Sequence, residues 1–143
     1  MKSLFIILLL FHSLFAHESL DVPFDTTWTL SECSQEEKTE VWVRGEERIT
    51  LMTYPLEHHV TLDQVLHFAK ELMYEVDLQV HEKSDSHALI SAVTPGKALL
   101  ICKLILKAGT IHIIHYSYLG DTALIDSEGA FFLIQNTQIK GVL

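Results

Sequence analysis

The chain has few basic residues and, after its first sixteen residues, no long apolar run. Its 10 Lys and Arg stand against 19 Asp and Glu, which gives a formal charge of −9 at pH 7. An acidic surface repels nucleic-acid phosphates and anionic lipid headgroups, so neither is expected as a partner. The longest later apolar stretch, residues 98–105, is interrupted by Lys103, and we expect no stable membrane insertion from it.

The sequence also lacks the short motifs that accompany common enzyme and cofactor chemistries. It contains no glycine-rich phosphate loop, no G-x-S-x-G nucleophile elbow, no H-E-x-x-H, no Cys-x-x-Cys and no His-x-His. Internal repeats, low-complexity tracts and Gly/Ser linkers are absent too. No cofactor is therefore predicted. Residues 17–143 are expected to form one domain, because they suffice for one core and are too few for two.

The first sixteen residues, MKSLFIILLLFHSLFA, have the layout of a secretory signal peptide. Lys2 supplies the positive start, residues 4–15 form the apolar region, and Ala16 is a small residue where signal peptidase could cut. That region is too short to cross a bilayer, which needs about 20 residues. We predict that residues 1–16 are removed, that the mature chain begins near His17, and that the protein is periplasmic or secreted. Loss of Lys2 moves the formal charge from −9 to −10.

Two cysteines, Cys33 and Cys102, remain in the mature chain. An exported protein meets an oxidising environment, in which two thiols could form a disulfide. Such a bridge would close a loop of about 70 residues and stabilise the fold by roughly 4 kcal/mol in the chain-entropy model. Neither cysteine directly follows the predicted signal peptide, so lipid anchoring is not predicted.

One amphipathic helix is predicted over residues 62–75. Thr61 and Gln64 form a T-x-x-Q capping box, and Val60 and Val65 are placed as a hydrophobic staple. The apolar stripe at helical spacing consists of Leu62, Val65, Leu66, Ala69, Leu72, Met73 and Val76. A helix with one apolar face needs a sheet to cover.

Strands precede and follow this helix. The predicted strands are residues 27–33, 40–44, 48–54, 76–81, 87–94, 98–107 and 110–119. The first of these lies in a partly loose N-terminal arm, residues 17–40, and the last four favour an antiparallel meander because their connections are short. On the strand at 98–107, the face that carries Leu104 is predicted as the core face. A second helix is predicted to open at Asp126 and could extend to Ile139.

The sheet of about six strands and two helices, in the order ββαββββα, describes an α+β domain. Over residues 28–139 this order resembles the Mog1/PsbP-like group of small sandwich domains, which includes exported and lumenal accessory proteins. Cystatin-like and NTF2-like sheets are alternatives, although there the long helix usually comes first. The resemblance implies a fold and carries over no functional residue.

A Cys–His pair is predicted on two neighbouring strands. If Ala108 and Gly109 form a two-residue hairpin loop, Cys102 lies opposite His115. An imidazole beside a thiol can hold it as a nucleophilic thiolate. The same face is apolar, however, and a buried thiol is normally inert, so a structural cysteine beside a core histidine is the preferred interpretation.

Histidines and carboxylates flank another predicted hairpin. It would bring His81, His87, Glu82 and Asp85 together, and these are acceptable zinc or copper ligands. Exposed histidines on hairpins are common, so this site is a candidate and no metal is predicted. The histidines interpreted as polar residues on a solvated edge are His58, His59 and His67. A mature chain starting at His17 could also chelate copper through its amine and ring, although no second copper-brace histidine stands out.

Tyr116 and Tyr118 share the face opposite Cys102. The second helix could cover them, which is preferred, or they could form a ligand or partner surface. The preferred function is an exported, non-enzymatic binding or accessory protein whose partner is another protein or a small ligand. The alternative is an exported hydrolase or metal-dependent enzyme that uses Cys102 with His115, or His81 with His87.

Overall fold

A computed structural model of the chain describes residues 20–21, 27–36, 38–57, 59–72, 77–93, 99–120 and 126–140. Within these residues the fold is α+β, as predicted, with two helices and nine strands. The strands are β1 (Leu20–Asp21), β2 (Thr29–Ser34), β3 (Thr39–Arg44), β4 (Glu47–Pro55), β5 (Asp77–Lys83), β6 (His87–Val93), β7 (Leu99–Lys107), β8 (Thr110–Tyr118) and β9 (Gln138–Ile139). The helices are α1 (Leu62–Leu72) and α2 (Ser127–Asn136). The predicted signal peptide lies outside the described residues, and neither described helix has the length and apolar content needed to span a bilayer.

Seven strands form one antiparallel sheet in the order β2-β3-β4-β8-β7-β6-β5, against about six predicted. The four strands after α1 form the predicted meander, in which each pairs with the next. Strand β8 then pairs with β4 along its whole length and so joins the meander to the N-terminal strands. Strand β2, which the sequence placed in a partly loose arm, is one edge of this sheet. Strands β1 and β9 form a separate pair.

Tight turns set the register of the sheet. Gly45, in the β3–β4 turn, has a φ of +58°, and Ala108 and Gly109, between β7 and β8, have φ values of +52° and +73°. Two successive residues in the left-handed region are typical of a type I′ turn, whose twist matches that of the flanking strands. The register predicted from this turn is confirmed, because Cys102 pairs with His115.

Helix α1 begins at the predicted capping box. The backbone N–H of Thr61 donates to Oε1 of Gln64 at 2.9 Å, and the N–H of Gln64 donates to the Thr61 hydroxyl at 3.2 Å. Leu62 and Leu66 are buried on the sheet, as the apolar stripe predicted. The last three residues of the predicted helix, 73–75, lie outside the described residues.

Helix α2 begins where the sequence predicted. The carboxylate of Asp126 caps it by accepting the N–H of Gly129 at 3.0 Å. At the other end, the hydroxyl of Thr137 donates to the carbonyl of Leu133 at 2.7 Å. The prediction that Ile139 could belong to this helix is wrong, because Ile139 lies in β9 after the helix has been capped.

Each face of the sheet is covered by one helix. The cluster under α1 contains Leu62, Leu66, Ala88, Ile90 and Leu104. The larger cluster under α2 contains Leu20, Trp28, Ile49, Leu51, Leu89, Ile101, Ile105, Ile114, Tyr116, Ala130, Leu133, Ile134 and Ile139. Both faces of the sheet therefore contribute to the core: the face of Leu104, which was predicted as the core face, and the opposite face. Strands covered on both faces are apolar almost throughout, so period-2 alternation does not distinguish the two faces.

A buried carboxylate ties β1 to the large sheet. Glu40 is 2% exposed, and its Oε1 accepts the backbone N–H of Leu20 at 3.0 Å and the Nε1–H of Trp42 at 2.7 Å. Leu20 is also buried, and it pairs with Ile139. A buried polar group is costly unless it is hydrogen-bonded, so these two bonds favour the docked position of β1.

Candidate functional site

Cys102 and His115 face each other on the side of the sheet that α1 covers. Burial raises the pKa of the Cys102 thiol to about 12, and burial lowers the pKa of the His115 imidazole. A nucleophilic dyad needs the opposite, a thiolate beside an imidazolium. Both groups are held neutral near pH 7, which fits the structural interpretation of this pair.

The disulfide considered between Cys33 and Cys102 is not formed. Cys33 lies on the edge strand β2, and the order β2-β3-β4-β8-β7 separates it from Cys102 by four strand spacings. At about 4.8 Å each, these spacings add up to about 19 Å. Bridged cysteines need Cα atoms within about 7 Å. The two thiols therefore lie too far apart for the disulfide that the sequence left open, because the sequence does not show how many strands separate them.

The surface predicted at Tyr116 and Tyr118 belongs mostly to the core. Tyr116 is 2% exposed, and its hydroxyl donates to the carboxylate of Glu47 at 2.9 Å. Burial and this bond raise the pKa of Tyr116. Arg44 contacts the same carboxylate at 2.9 Å and lies 4.6 Å from the ring centroid of Trp28, while Tyr118 is half-buried against the cluster. Tyr116 is thus buried on the α2 side, which agrees with the preferred interpretation that the second helix covers this face.

The predicted metal ligands on the β5–β6 hairpin have separate partners. Nε2 of His81 lies 2.7 Å from the Ser91 hydroxyl. The imidazole ring of His81 packs edge-on against the Phe131 ring, with 4.7 Å between the ring centroids. His87 bonds instead within its own turn. In the described part of the chain, no three His, Cys, Asp or Glu side chains are grouped for a metal ion. The candidate set of His81, His87 and Asp85 is therefore not assembled.

A β-bulge explains this separation. The register between β5 and β6 shifts at His81, which is the extra residue on its strand. His81 and Glu82 consequently both lie on the α2 side, where Glu82 accepts the Nε2–H of Gln135 at 2.8 Å. Lys83 returns to the α1 side and pairs there with Asp63.

The remaining histidines lie partly within and partly outside the described residues. His67 pairs with Glu71 at 3.1 Å on the exposed face of α1, and His59 is exposed in a turn. Both agree with the prediction of a solvated edge. His58 and His17 lie outside the described residues.

A cleft opens beside the β5–β6 hairpin, next to the C-terminal end of α2. Its volume is about 180 Å³. Its lining residues are Glu82, Ser86, His87, Leu89, Lys103, Ile105 and Gln135. Leu89 and Ile105 are buried and form an apolar floor, while the other five give a polar rim. The bulge supplies Glu82 to this rim, and the end of α2 supplies Gln135.

Lys103 forms hydrogen bonds with the C-terminal end of α2 at this cleft. Its Nζ donates to the carbonyl of Gln135 at 2.9 Å and to that of Thr137 at 3.0 Å. The last carbonyls of a helix lack helical partners and carry partial negative charge, which favours a cation there. Burial lowers the pKa of Lys103, and the carboxylate of Glu82 opposes that change.

Sequence reasoning missed this cleft, although one signal pointed toward it. Lys103 interrupts an otherwise apolar strand, and lysine is almost never buried without a partner. The partner carbonyls lie more than thirty residues away in sequence, at a helix end that only the tertiary structure places there. The volume of the cleft is below the roughly 300–1,000 Å³ of pockets for drug-sized ligands and cofactors, so it matches a single side chain or a similarly small group.

The sequence matches no protein-family model and no curated protein. Solved structures do resemble it. The Ran-binding protein Mog1p of Saccharomyces cerevisiae is 11% identical, with a TM-score of 0.50 over 79% of this chain and 78% of that chain. Cyanobacterial PsbP (CyanoP) of Synechocystis is 9% identical, with a TM-score of 0.53 over 85% of this chain and 92% of that chain. The chain therefore has the Mog1/PsbP-like fold, as the element order predicted, and at this identity the likeness concerns the fold alone.

Proposed function

We propose that this chain is an exported, non-enzymatic binding or accessory protein, and that it holds its partner at the cleft beside the β5–β6 hairpin. The observation that supports this is the arrangement of polar groups above an apolar floor. Leu89 and Ile105 supply buried apolar surface, and Glu82, Ser86 and Gln135 supply exposed polar groups around it. A concave apolar surface with a few convergent polar groups is the usual form of a recognition site.

The state of the reactive side chains supports binding over hydrolysis. The Cys102 thiol and the His115 imidazole are both held in their neutral forms by burial. The histidines of the hairpin are engaged with neighbouring hydroxyls, His81 with Ser91 and His87 with Ser84. The groups considered for an enzyme are thus occupied with roles inside the fold.

The fold and the charge favour a protein partner with basic character. Mog1p, which shares the fold, is a Ran-binding protein, so a domain of this shape can serve protein recognition. The chain carries a formal charge of −9, and a net negative charge attracts cationic surfaces over long distances. The cleft has room for one side chain of such a partner.

Affinity capture with the mature chain, residues 17–143, tests the proposal in extracts of its native compartment. The Ser86→Trp variant places an indole at the polar rim and should obstruct the cleft. The Ser127→Trp variant makes the same chemical change at an exposed position at the opposite end of α2 and serves as the matched control. Quantitative mass spectrometry compares the proteins retained by the three forms.

We expect a partner that the wild-type chain and Ser127→Trp retain equally and that Ser86→Trp retains at least tenfold less. A partner retained equally by all three would place binding elsewhere on the surface and overturn the role of the cleft. Catalytic turnover of a substrate by the purified chain would overturn the non-enzymatic part of the proposal.

A further inference from the structure

We propose that the cleft receives one lysine side chain of a protein partner, with its aliphatic stem over Leu89 and Ile105 and its ammonium group at Glu82. This inference rests on the proposed function of the same cleft and specifies the chemistry that it recognises. It follows from the size of the cleft, from the hydrogen-bonding groups that its rim leaves available, and from their charge.

The floor of the cleft is apolar and is compatible with an aliphatic stem. Leu89 is 5% exposed and Ile105 is 4% exposed, so they form a continuation of the core at the bottom of the cleft. Because so little of either side chain is exposed, a group that covers this floor removes only a small further apolar area from water. Lysine carries four methylene groups before its charged head, and such a side chain can bury the stem while the head stays at the solvated rim.

The rim leaves several hydrogen-bond acceptors available to a ligand. Nε2 of Gln135 already donates to Oε1 of Glu82, and two protons of the Lys103 ammonium go to carbonyls at the end of α2. Oε2 of Glu82, Oε1 of Gln135 and the Ser86 hydroxyl make no hydrogen bond with the rest of the described chain. A ligand that supplies several N–H donors complements this set.

The rim carries one carboxylate, Glu82, and one ammonium group, Lys103, which directs two of its protons to the carbonyls at the end of α2. Glu82 forms no ion pair within 4 Å in the described part of the chain, and Lys103 interacts with it only electrostatically across the cleft. Asp85 adds a second exposed carboxylate to the same hairpin. An ammonium group at Glu82 would therefore meet a carboxylate that is hydrogen-bonded to Gln135 through one oxygen and has no ion pair in the described part of the chain.

Lysine suits this rim better than arginine. A guanidinium group binds most strongly when both oxygens of a carboxylate accept its parallel N–H groups. One oxygen of Glu82 is already bonded to Gln135, so only the other is available. An ammonium group behaves as a point charge whose donors rotate freely, and it loses little at a carboxylate with one available oxygen.

Short peptides of defined sequence test the inference on the purified mature chain. Each probe is an acetylated, amidated pentapeptide with four glycines and one central residue, which is lysine, norleucine, arginine or glutamate. Norleucine keeps an apolar stem without the charge, arginine changes the head group, and glutamate inverts the charge. Methyl NMR reports binding through the signals of Leu89 and Ile105, and titration gives the dissociation constants.

Two matched variants separate the contact at Glu82 from the general acidity of the chain. Glu82→Gln removes the charge at the rim and keeps the shape of the side chain. Glu71→Gln removes the same charge on the exposed face of α1, on the other side of the sheet. An exposed ion pair contributes modestly, so we expect Glu82→Gln to weaken binding of the lysine peptide about threefold to fivefold, and Glu71→Gln to leave it within experimental error.

The inference is supported if the lysine peptide binds more tightly than the other three, shifts both methyl signals and depends on Glu82. Equal binding of norleucine would reduce the site to an apolar contact, and tighter binding of glutamate would make it an anion site around Lys103. Either result, or no shift with millimolar lysine peptide, overturns the lysine assignment. A captured partner that Ser86→Trp loses and Glu82→Gln retains fully would leave the proposed function standing and reject only this inference.

Discussion

Cys102 and His115 show how the surroundings of a residue govern its reactivity. A thiolate and an imidazolium each need solvent or a compensating charge, and α1 removes solvent from the face on which they lie. Burial raises the pKa of Cys102 to about 12 and lowers the pKa of His115. The two changes act in the same direction, since each makes the ion pair of a catalytic dyad less favourable.

We predict that Cys102 resists iodoacetamide in the folded protein at neutral pH, because the reagent reacts with the thiolate. Cys33 is exposed and provides an internal comparison in the same sample. Peptide mass spectrometry after brief treatment measures both sites. Rapid alkylation of Cys102 that His115→Ala slows would contradict the prediction and favour the alternative of a hydrolase.

His115 should also make the stability of the protein depend on pH. Its pKa is lowered by burial, so the unfolded chain binds this proton at a higher pH than the folded one does. The contribution of His115 to the free energy of unfolding is therefore fully present at pH values above its pKa in the unfolded chain, about 6.5. The free energy of unfolding falls as the pH drops below that value. His112 acts in the same direction, because burial and the charge of Lys107 lower its pKa.

We therefore expect His115→Gln to lose less stability than the wild-type chain when the pH is lowered from about 7.5 to about 5. Urea unfolding at both pH values measures this difference. His67→Gln, at an exposed position on α1, is the control and should follow the wild type. An unchanged pH dependence in His115→Gln would show that this imidazole is protonated as readily in the folded protein as in the unfolded one.

At the scale of single elements, α1 is stabilised mainly by its buried face. Leu66 is 5% exposed and Phe68 is 61% exposed on the same helix. Leu66→Ala should lower the free energy of unfolding by about 2–5 kcal/mol through lost transfer energy and a cavity. Phe68→Ala should change it by less than about 0.5 kcal/mol. Chemical denaturation compares the two, and equal losses would mean that the wrong face of the helix has been assigned to the core.

Elements specified by local chemistry could be predicted from the sequence. The capping box of Thr61 and Gln64 marked the start of α1, and the carboxylate of Asp126 marked the start of α2. The turn at Ala108 and Gly109 set the register that brings Cys102 opposite its partner. In each case the residues that make the structure lie within a few positions of one another.

Elements specified by distant contacts could not be predicted in this way. The bulge at His81 depends on how β5 pairs with β6, and it places the neighbouring side chains of His81 and Glu82 both on the α2 side of the sheet. The hydrogen bond from Tyr116 to Glu47 joins residues 69 positions apart, although coverage of this tyrosine by the second helix was the preferred interpretation. The cleft at Lys103 needs the bulge, two inner strands and the end of α2 together, so no single segment of sequence predicts it.

At the scale of the whole molecule, the position of Leu20 limits where a leader can be removed. Leu20 is 3% exposed, and its backbone N–H is bonded to Glu40, so cleavage beyond this residue would remove part of the fold. The cut predicted after Ala16 leaves Leu20 intact. We expect mass spectrometry of the native protein to show a first residue at His17 or within two residues of it. A mature chain that still begins at Met1 would contradict the prediction of export by a cleaved signal peptide.

The pairing of Leu20 with Ile139 has a consequence for the order in which the molecule can be assembled. A polypeptide is synthesised from its N-terminus, so β1 is made before every other described strand and cannot pair until β9 has been made. Strand β4 waits in a similar way for β8, since the meander has to be made before the two halves of the sheet can join. Contacts between such distant parts of a chain form slowly. Folding of this domain can therefore reach completion only after β9 has been synthesised.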